Sequence, residues 1–383
     1  MHYLLPGGRF LWLACQEPAG PRHVLRGMTL ADTVGVLTFH RCINYGSYWQ
    51  ARCLVEGLRS RGVAAELLDH DSPEVNLAEW RCSLQPRLPE RSSRAELRGY
   101  KRKARRFFDA WNHLPRSRSF PLEQPEEAGR YRAVVVGSDE VWNFRHPWYR
   151  AKPIFFGSGL KADRLVSYAA SFGNHDAGDG VHPRFAEKLR RFDAISVRDA
   201  NSHSLVHGAL GLDAELVLDP CLQWPEIALA EPMRTDEPYA LIYGHGLPDW
   251  LVRQVRRWAD ETGTRLISLG YTNAWADEQR IDEGPIEFAS WMAGASAIVT
   301  NFFHGCVFAL LNKRPFVAAP SDYRFNKIRD LTAKLGAEER VVTGATSDGE
   351  FDRLMSEPAG GLVDQRIGEL RRRSNEYLDA ALS

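Results

Sequence analysis

The chain has no long uninterrupted apolar run, no excess of charge of either sign and no paired-cysteine motif, and each absence closes off a class of function. A membrane-spanning helix needs about 20 consecutive apolar residues, and no stretch approaches that. Lys+Arg and Asp+Glu both number 49, so the net charge is zero and no global field draws the protein to nucleic acid or an acidic bilayer. Partners must be recognised by local sites. The six cysteines, Cys15, Cys42, Cys53, Cys82, Cys221 and Cys306, show neither C-x-x-C nor zinc-like spacing. That fits free thiols in a reducing compartment, so the cytoplasm is the expected location. No H-E-x-x-H, clustered acids or Cys/His spacing offers a dedicated metal site, and none is expected. Glycine is scarce where a cofactor would need it. The loop after the first strand carries only Gly46, whereas a dinucleotide fingerprint needs three glycines, so no nicotinamide or flavin is expected.

A chain of 383 residues, 44% hydrophobic and 26% charged, is globular and long enough for two domains. Residues 1–32 read as an N-terminal extension, with Leu4-Leu5, Gly7-Gly8 and Phe10 to Ala14 too interrupted to span a bilayer and lacking the charged leader of a signal peptide. Met28 stands just before the first strand, so a poorly ordered arm or an over-extended start is expected there. From residue 33 to 225 strands and helices alternate. Val34 to Phe39 is a strand, Tyr48 to Arg61 a helix ending at Gly62, and Ala64 to Leu68 a strand. Ala133 to Gly137, Leu165 to Ser171, Ala194 to Val197 and Leu216 to Leu218 follow as strands. Between them, residues 72–125 are polar and basic with one helical stretch, Ser93 to Trp111. It holds the run Lys101-Arg102-Lys103-Ala104-Arg105-Arg106, either a solvated helix face or a peripheral contact with anionic lipid or a phosphorylated substrate. A proline- and acid-rich linker, Trp224 to Pro238, leads to a second α/β set over 239–360. A final amphipathic helix occupies 361–383.

The stretch with most chemical content is Ile298-Val299-Thr300-Asn301-Phe302-Phe303-His304-Gly305-Cys306. A buried parallel strand delivers an imidazole and a glycine where a helix begins, which is where open α/β folds place their chemistry. Histidine is the usual acid/base near neutral pH, so His304 is the first candidate for a reacting group, against the plainer reading of a structural strand-end histidine.

Six ordered segments together resemble the polysaccharide pyruvyl transferase family: Asn44-Tyr45-Gly46-Ser47 with Gln50, Gly137 to Asn143, Ser167 to Gly173, Ser196 to Asp199, Asp219-Pro220 and Thr300 to Gly305. The resemblance spans about Val34 to Gly336. It implies an α/β protein of two Rossmann-like domains, GT-B-like, with a cleft between them and the C-terminal helix returning to the first. It also implies a reaction, in which the pyruvyl group of phosphoenolpyruvate is moved onto two hydroxyls of a sugar, glycan or lipid-linked saccharide as a cyclic ketal, with release of phosphate and no cofactor. On this resemblance His304 and Asp139 are the catalytic candidates. Arg198, Asn44, Tyr45, Gly46, Ser138, Asn301, Gly305, Arg324 and Lys327 are the substrate-binding ones. Arginine suits a donor bearing a carboxylate and a phosphate. Read by themselves, Arg198 could simply pair with an acid and Asp139 could cap a following helix. Two positions depart from the family pattern: Glu140 stands for Gln, and Phe302 stands where some members carry an arginine two residues before the histidine. Arg324 or Lys327 is then expected to supply the missing cation. Two other readings remain on the same scaffold, a nucleotide-sugar glycosyltransferase and a non-catalytic glycan-binding homologue.

Overall fold

The computed structural model describes residues 30–86, 88, 91–321 and 323–383, so the expected N-terminal arm lies almost wholly outside the described residues. Two parallel sheets form the cores of two lobes. In the first lobe β1 (Val34–Leu37), β2 (Ala65–Leu67), β3 (Arg130–Val136) and β4 (Lys161–Ser167) lie in the order β2-β1-β3-β4. β1 and the second half of β3 are fully buried, as unbroken apolar runs in a doubly covered parallel sheet should be. β4 ends at Ser167 rather than Ser171, because Ala169 takes a left-handed backbone (φ 52°) that no strand continues through. Isolated bridges then carry the sheet on to Ser196–Val197, which pairs with Glu215–Leu216.

In the second lobe β5 (Tyr239–Tyr243), β6 (Arg265–Leu269), β7 (Glu278–Arg280), β8 (Ala297–Thr300) and β9 (Phe316–Ala318) lie in the order β7-β6-β5-β8-β9. The order reverses between β5 and β8, so the crevice at their carboxyl ends is a topological switch point, where such sheets bind ligands.

The principal helices are α1 (Tyr45–Ser60), α2 (Pro73–Leu84), α3 (Arg94–Trp111), α4 (Asp249–Thr262), α5 (Pro285–Gly294), α6 (Phe303–Leu311), α7 (Phe325–Leu335) and α8 (Gly361–Leu382). α1 begins three residues earlier than its apolar pattern suggests, because the Asn44 side chain accepts from Ser47 N–H at 3.2 Å and caps it. α2 is missed by periodicity, since it buries only Val75 and Glu79. α3 starts at the capping box of Ser93 and Glu96.

Three devices join the lobes. The first turn of α1 is an apolar wedge, with Tyr45 stacked on Phe288 (4.3 Å between centroids) and donating to Glu283 O, and Trp49 donating to Pro285 O. The basic run on α3 is a clasp: Arg102 pairs with Asp282, Arg106 with Glu283, and Lys103 Nζ donates to Gly270 O at 3.0 Å. Lys101, Arg102 and Arg105 of the run are exposed, as a solvated helix face would be, and Arg102 is already paired with Asp282. Finally, α8 starts beside α7, where Arg366 donates to Ala333 O, and ends on the first lobe, where Tyr377 donates to Ser167 O. Among the described residues no helix is long and apolar enough to cross a membrane, and the five described cysteines are free. The molecule is thus an α/β protein of two Rossmann-like lobes in the GT-B-like manner, with a C-terminal helix that returns to the first lobe.

Candidate active site

The carboxyl ends of β3 and β8 and the turn at Asp219 converge on Arg198. Its guanidinium donates to Asp219 Oδ2 at 3.1 Å and to Asp139 Oδ1 at 3.2 Å, and lies 4.5 Å over the Phe303 ring. It is 3% exposed. Burial alone would lower its pKa, but Asp139 and Asp219 hold it above the ordinary arginine value.

Asp139 sits immediately beyond β3 in a left-handed conformation (φ 78°), which aspartate tolerates better than most residues. The close packing begins two residues earlier, because a Cβ on Gly137 would meet Tyr168 O at 2.2 Å. Asp139 also accepts from Ser47 Oγ at 2.8 Å and from Glu140 N–H. Turns rather than a helix follow it, so the helix-capping alternative does not hold.

His304 lies in the first turn of α6 rather than at the strand end, because the helix starts at Phe303. Its Nε2 is 3.5 Å from Asp219 Oδ2 and has no hydrogen-bond partner, although the residue is only 8% exposed. The opposite edge of the ring rests on α1, where an ideal Cβ on Gly46 would fall 2.0 Å from His304 Nδ1. Gly46 is therefore a close-approach glycine between the lobes. Gly305 is another, its Cβ position lying 2.0 Å from Thr300 Oγ1.

The remaining candidates divide. Tyr45 and Ser138 are fully buried, Tyr45 in the lobe interface and Ser138 donating to Gln50 Oε1 at 2.9 Å. Asn44 caps α1. Asn301 donates to His245 O at 2.8 Å, leaves its Oδ1 without a partner, and lines a cavity of about 380 Å³ with Gly246, Trp250, Phe325 and Thr343. Lys327, carried by α7 and not by a loop, forms a buried ion pair with Glu140 across the cleft. Arg324 makes no carboxylate contact among the described ion pairs and stacks 4.4 Å over Phe302. Asp219, quoted in the sequence only as part of an Asp-Pro turn, is the main omission. Around Phe302, Lys103 was named only as part of the basic run, and Tyr271 was not singled out.

Asp219, Cys221 and His304 could hold a metal ion, their ligand atoms lying within 4.8 Å of one another. The donor set is poor for one. Arg198 already occupies Asp219 Oδ2, and burial, then Cys53, pushes the Cys221 thiol well up, away from the thiolate a metal needs.

Two carboxyls here titrate low. Burial would raise both, but Lys327 holds Glu140 down at about 2, and His304 and Arg198 hold Asp219 well below the ordinary range. A carboxyl depressed in the folded state contributes stability that is complete above its unfolded pKa and is lost as pH falls towards the folded value. Melting temperature should therefore fall as pH drops from about 4.5 towards 2. Glu140→Gln should flatten part of that acid limb in a pH series of thermal melts, and an unchanged limb would remove the Glu140–Lys327 pair from the account.

The model of the polysaccharide pyruvyl transferase family matches residues 44–323. No curated protein matches. Among solved structures, the S. aureus MnaA–UDP co-structure is similar with a TM-score of 0.49 at 12% identity, covering 91% of this chain and 97% of that one. The UDP-GlcNAc 2-epimerase of Methanocaldococcus jannaschii in complex with UDP-GlcNAc and UDP gives 0.46 at 11%, covering 89% and 99%. The E. coli heptosyltransferase WaaC gives 0.38 at 13%, covering 76% and 89%. Identities this low say nothing of substrate. The family match takes in Asp139, Arg198, Asp219 and His304, the groups that meet at the cleft, and the chain belongs to the polysaccharide pyruvyl transferase family.

Proposed function

We propose that His304 moves the proton in the transfer of a pyruvyl group from phosphoenolpyruvate to a sugar, the reaction of this family. The first sugar hydroxyl adds to C2 of the enol while C3 gains a proton and becomes a methyl group. The second hydroxyl then displaces phosphate from C2, and its proton leaves with the phosphate. The observation that carries the assignment is His304 Nε2, a buried nitrogen that makes no hydrogen bond and lies 3.5 Å from the Asp219 carboxylate. Asp219 is placed to balance the charge of an imidazolium and fix its ring. Asp139 is a positioning residue, because Ser47, Arg198 and the Glu140 amide already occupy its oxygens. Arg198 ties the two aspartates together. The protein's own cations meet the donor's charge without a metal, and its free thiols suit the cytoplasm.

Phosphoenolpyruvate should raise the melting temperature in excess EDTA, and by more than nucleoside diphosphates do. Binding to the native state adds about 2.7 kcal/mol at a ligand concentration of 100 times Kd. Phosphate release with a panel of galactosides, glucosides and lipid-linked aminosugars identifies the acceptor. Stabilisation by a nucleoside diphosphate and none by phosphoenolpyruvate would replace this reading with that of a nucleotide-sugar glycosyltransferase. Donor binding with no phosphate release from any acceptor would favour a non-catalytic homologue.

A further inference from the structure

The charges at the catalytic centre leave the donor's phosphate without a seat. Arg198's single positive charge faces two carboxylates, and Lys327 is neutralised by Glu140. Surplus positive charge lies elsewhere on the cleft wall, around Phe302. The Arg324 guanidinium stacks on that ring at 4.4 Å. His245 lies 5.5 Å from Phe302 and 5.0 Å from Tyr271, which itself packs 5.3 Å from Phe302. From the other lobe, Lys103 Nζ comes within 4.6 Å of the Tyr271 and Tyr45 ring centroids.

Neither Lys103 nor Arg324 has a carboxylate partner among the described ion pairs. Lys103 is 4% exposed and spends one of its three donors on Gly270 O. Arg324, His245, Tyr271 and Phe302 are half-buried, so the cluster borders the open cleft. Like charges gathered away from water are unfavourable until an anion joins them. Titration agrees with the geometry. Burial, then Arg324 and Lys103, hold His245 down at about 4, and burial brings Lys103 down to about 7.

We propose that Arg324, Lys103 and His245 form a phosphate subsite for the donor, in which Arg324 reaches over Phe302 from the start of α7 to grip the phosphate. The proposal rests on the phosphoenolpyruvate reading. Stacking on Phe302 fixes the guanidinium plane and leaves its N–H edge free to grip oxygen atoms. His245 fits a neutral donor, and Lys103 becomes a full cation once an anion arrives.

Isothermal titration of the full chain with phosphoenolpyruvate and, separately, with inorganic phosphate tests it. Arg324→Ala should weaken both by about 10–100-fold, the usual loss of a charged hydrogen-bonding partner. Its fold should survive, because the side chain's one described hydrogen bond is a 3.4 Å contact with Ser321. Adding Phe302→Arg to Arg324→Ala should restore most of the affinity, which a merely structural role for Arg324 would not allow. Lys103→Met should weaken phosphate binding with Arg324 intact. Unchanged affinity in Arg324→Ala, or no rescue by Phe302→Arg in a folded protein, overturns the subsite. Phosphate binding that depends on Arg324 in a protein that ignores phosphoenolpyruvate supports the subsite and sinks the donor reading instead.

Discussion

His304→Ala should lower kcat by roughly 10²–10⁴-fold, the range a positioned general acid/base contributes. The donor's KM should change far less, because its phosphate is assigned to Arg324, Lys103 and His245, which gather around Phe302 and Tyr271. Arg198 stays charged between its two aspartates, Lys327 is paired with Glu140, Lys103 lies beside Tyr271 rather than at the Asp219 turn, and three donors already occupy Asp139. His304 is left as the group able to protonate C3. The ring is buried between α1 and the Asp219 turn, so thermal melts must accompany the kinetics. A folded variant with near-native turnover ends the assignment, and a matching loss of kcat and cooperative folding would return His304 to the plainer structural reading. His304→Gln provides the second arm. It keeps a polar side chain of similar reach opposite Asp219 without the acid/base function, so it should fold better than the alanine variant and be equally inactive.

How much of this was written in the sequence depends on whether the signal was local. Fully buried parallel strands announce themselves as unbroken apolar runs, and β5, β6 and β8 fall where those runs lie. α4 could be read from its apolar period and the glycine that follows it, Gly263 in the left-handed conformation. The start of α1 was misread because its cap is a side-chain hydrogen bond from Asn44, and His304 was placed at a strand end because α6 begins without a polar cap at Phe302. The architecture as a whole was legible through the resemblance, since no periodicity says how two lobes face one another. Least legible were contacts between distant segments. Lys103 belongs to a basic run like many solvated ones, and its burial depends on Tyr45 and Tyr271 from two other elements. The compensation for Phe302 was anticipated as Arg324 or Lys327. The choice falls to Arg324 only because Lys327 is spent on Glu140, the other position that departs from the family pattern.

Gly46→Ala should lower both stability and turnover. Gly46 lies in the first turn of α1, where alanine would ordinarily stabilise a helix by about 0.5–1 kcal/mol. Here the added Cβ would stand 2.0 Å from His304 Nδ1, 2.5 Å from Cγ and 2.7 Å from Cε1. Such contacts do not persist, so either the imidazole or the helix must move. The imidazole has Phe303 against it at 5.1 Å and Asp219 at 3.5 Å, and the helix is pinned by Tyr45 on Phe288. A shift of about 1 Å at a reacting group costs on the order of 10²-fold in rate, and that loss of kcat is expected with donor affinity largely kept. The decisive measurement is a double-mutant cycle in stability. In the His304→Ala background the space is vacated, so adding Gly46→Ala should be neutral or mildly stabilising, as helix propensity dictates, while in wild-type protein the same methyl should destabilise. An equal penalty in both backgrounds would show that the methyl meets something other than the imidazole, and the seat of His304 on α1 would then have to be abandoned.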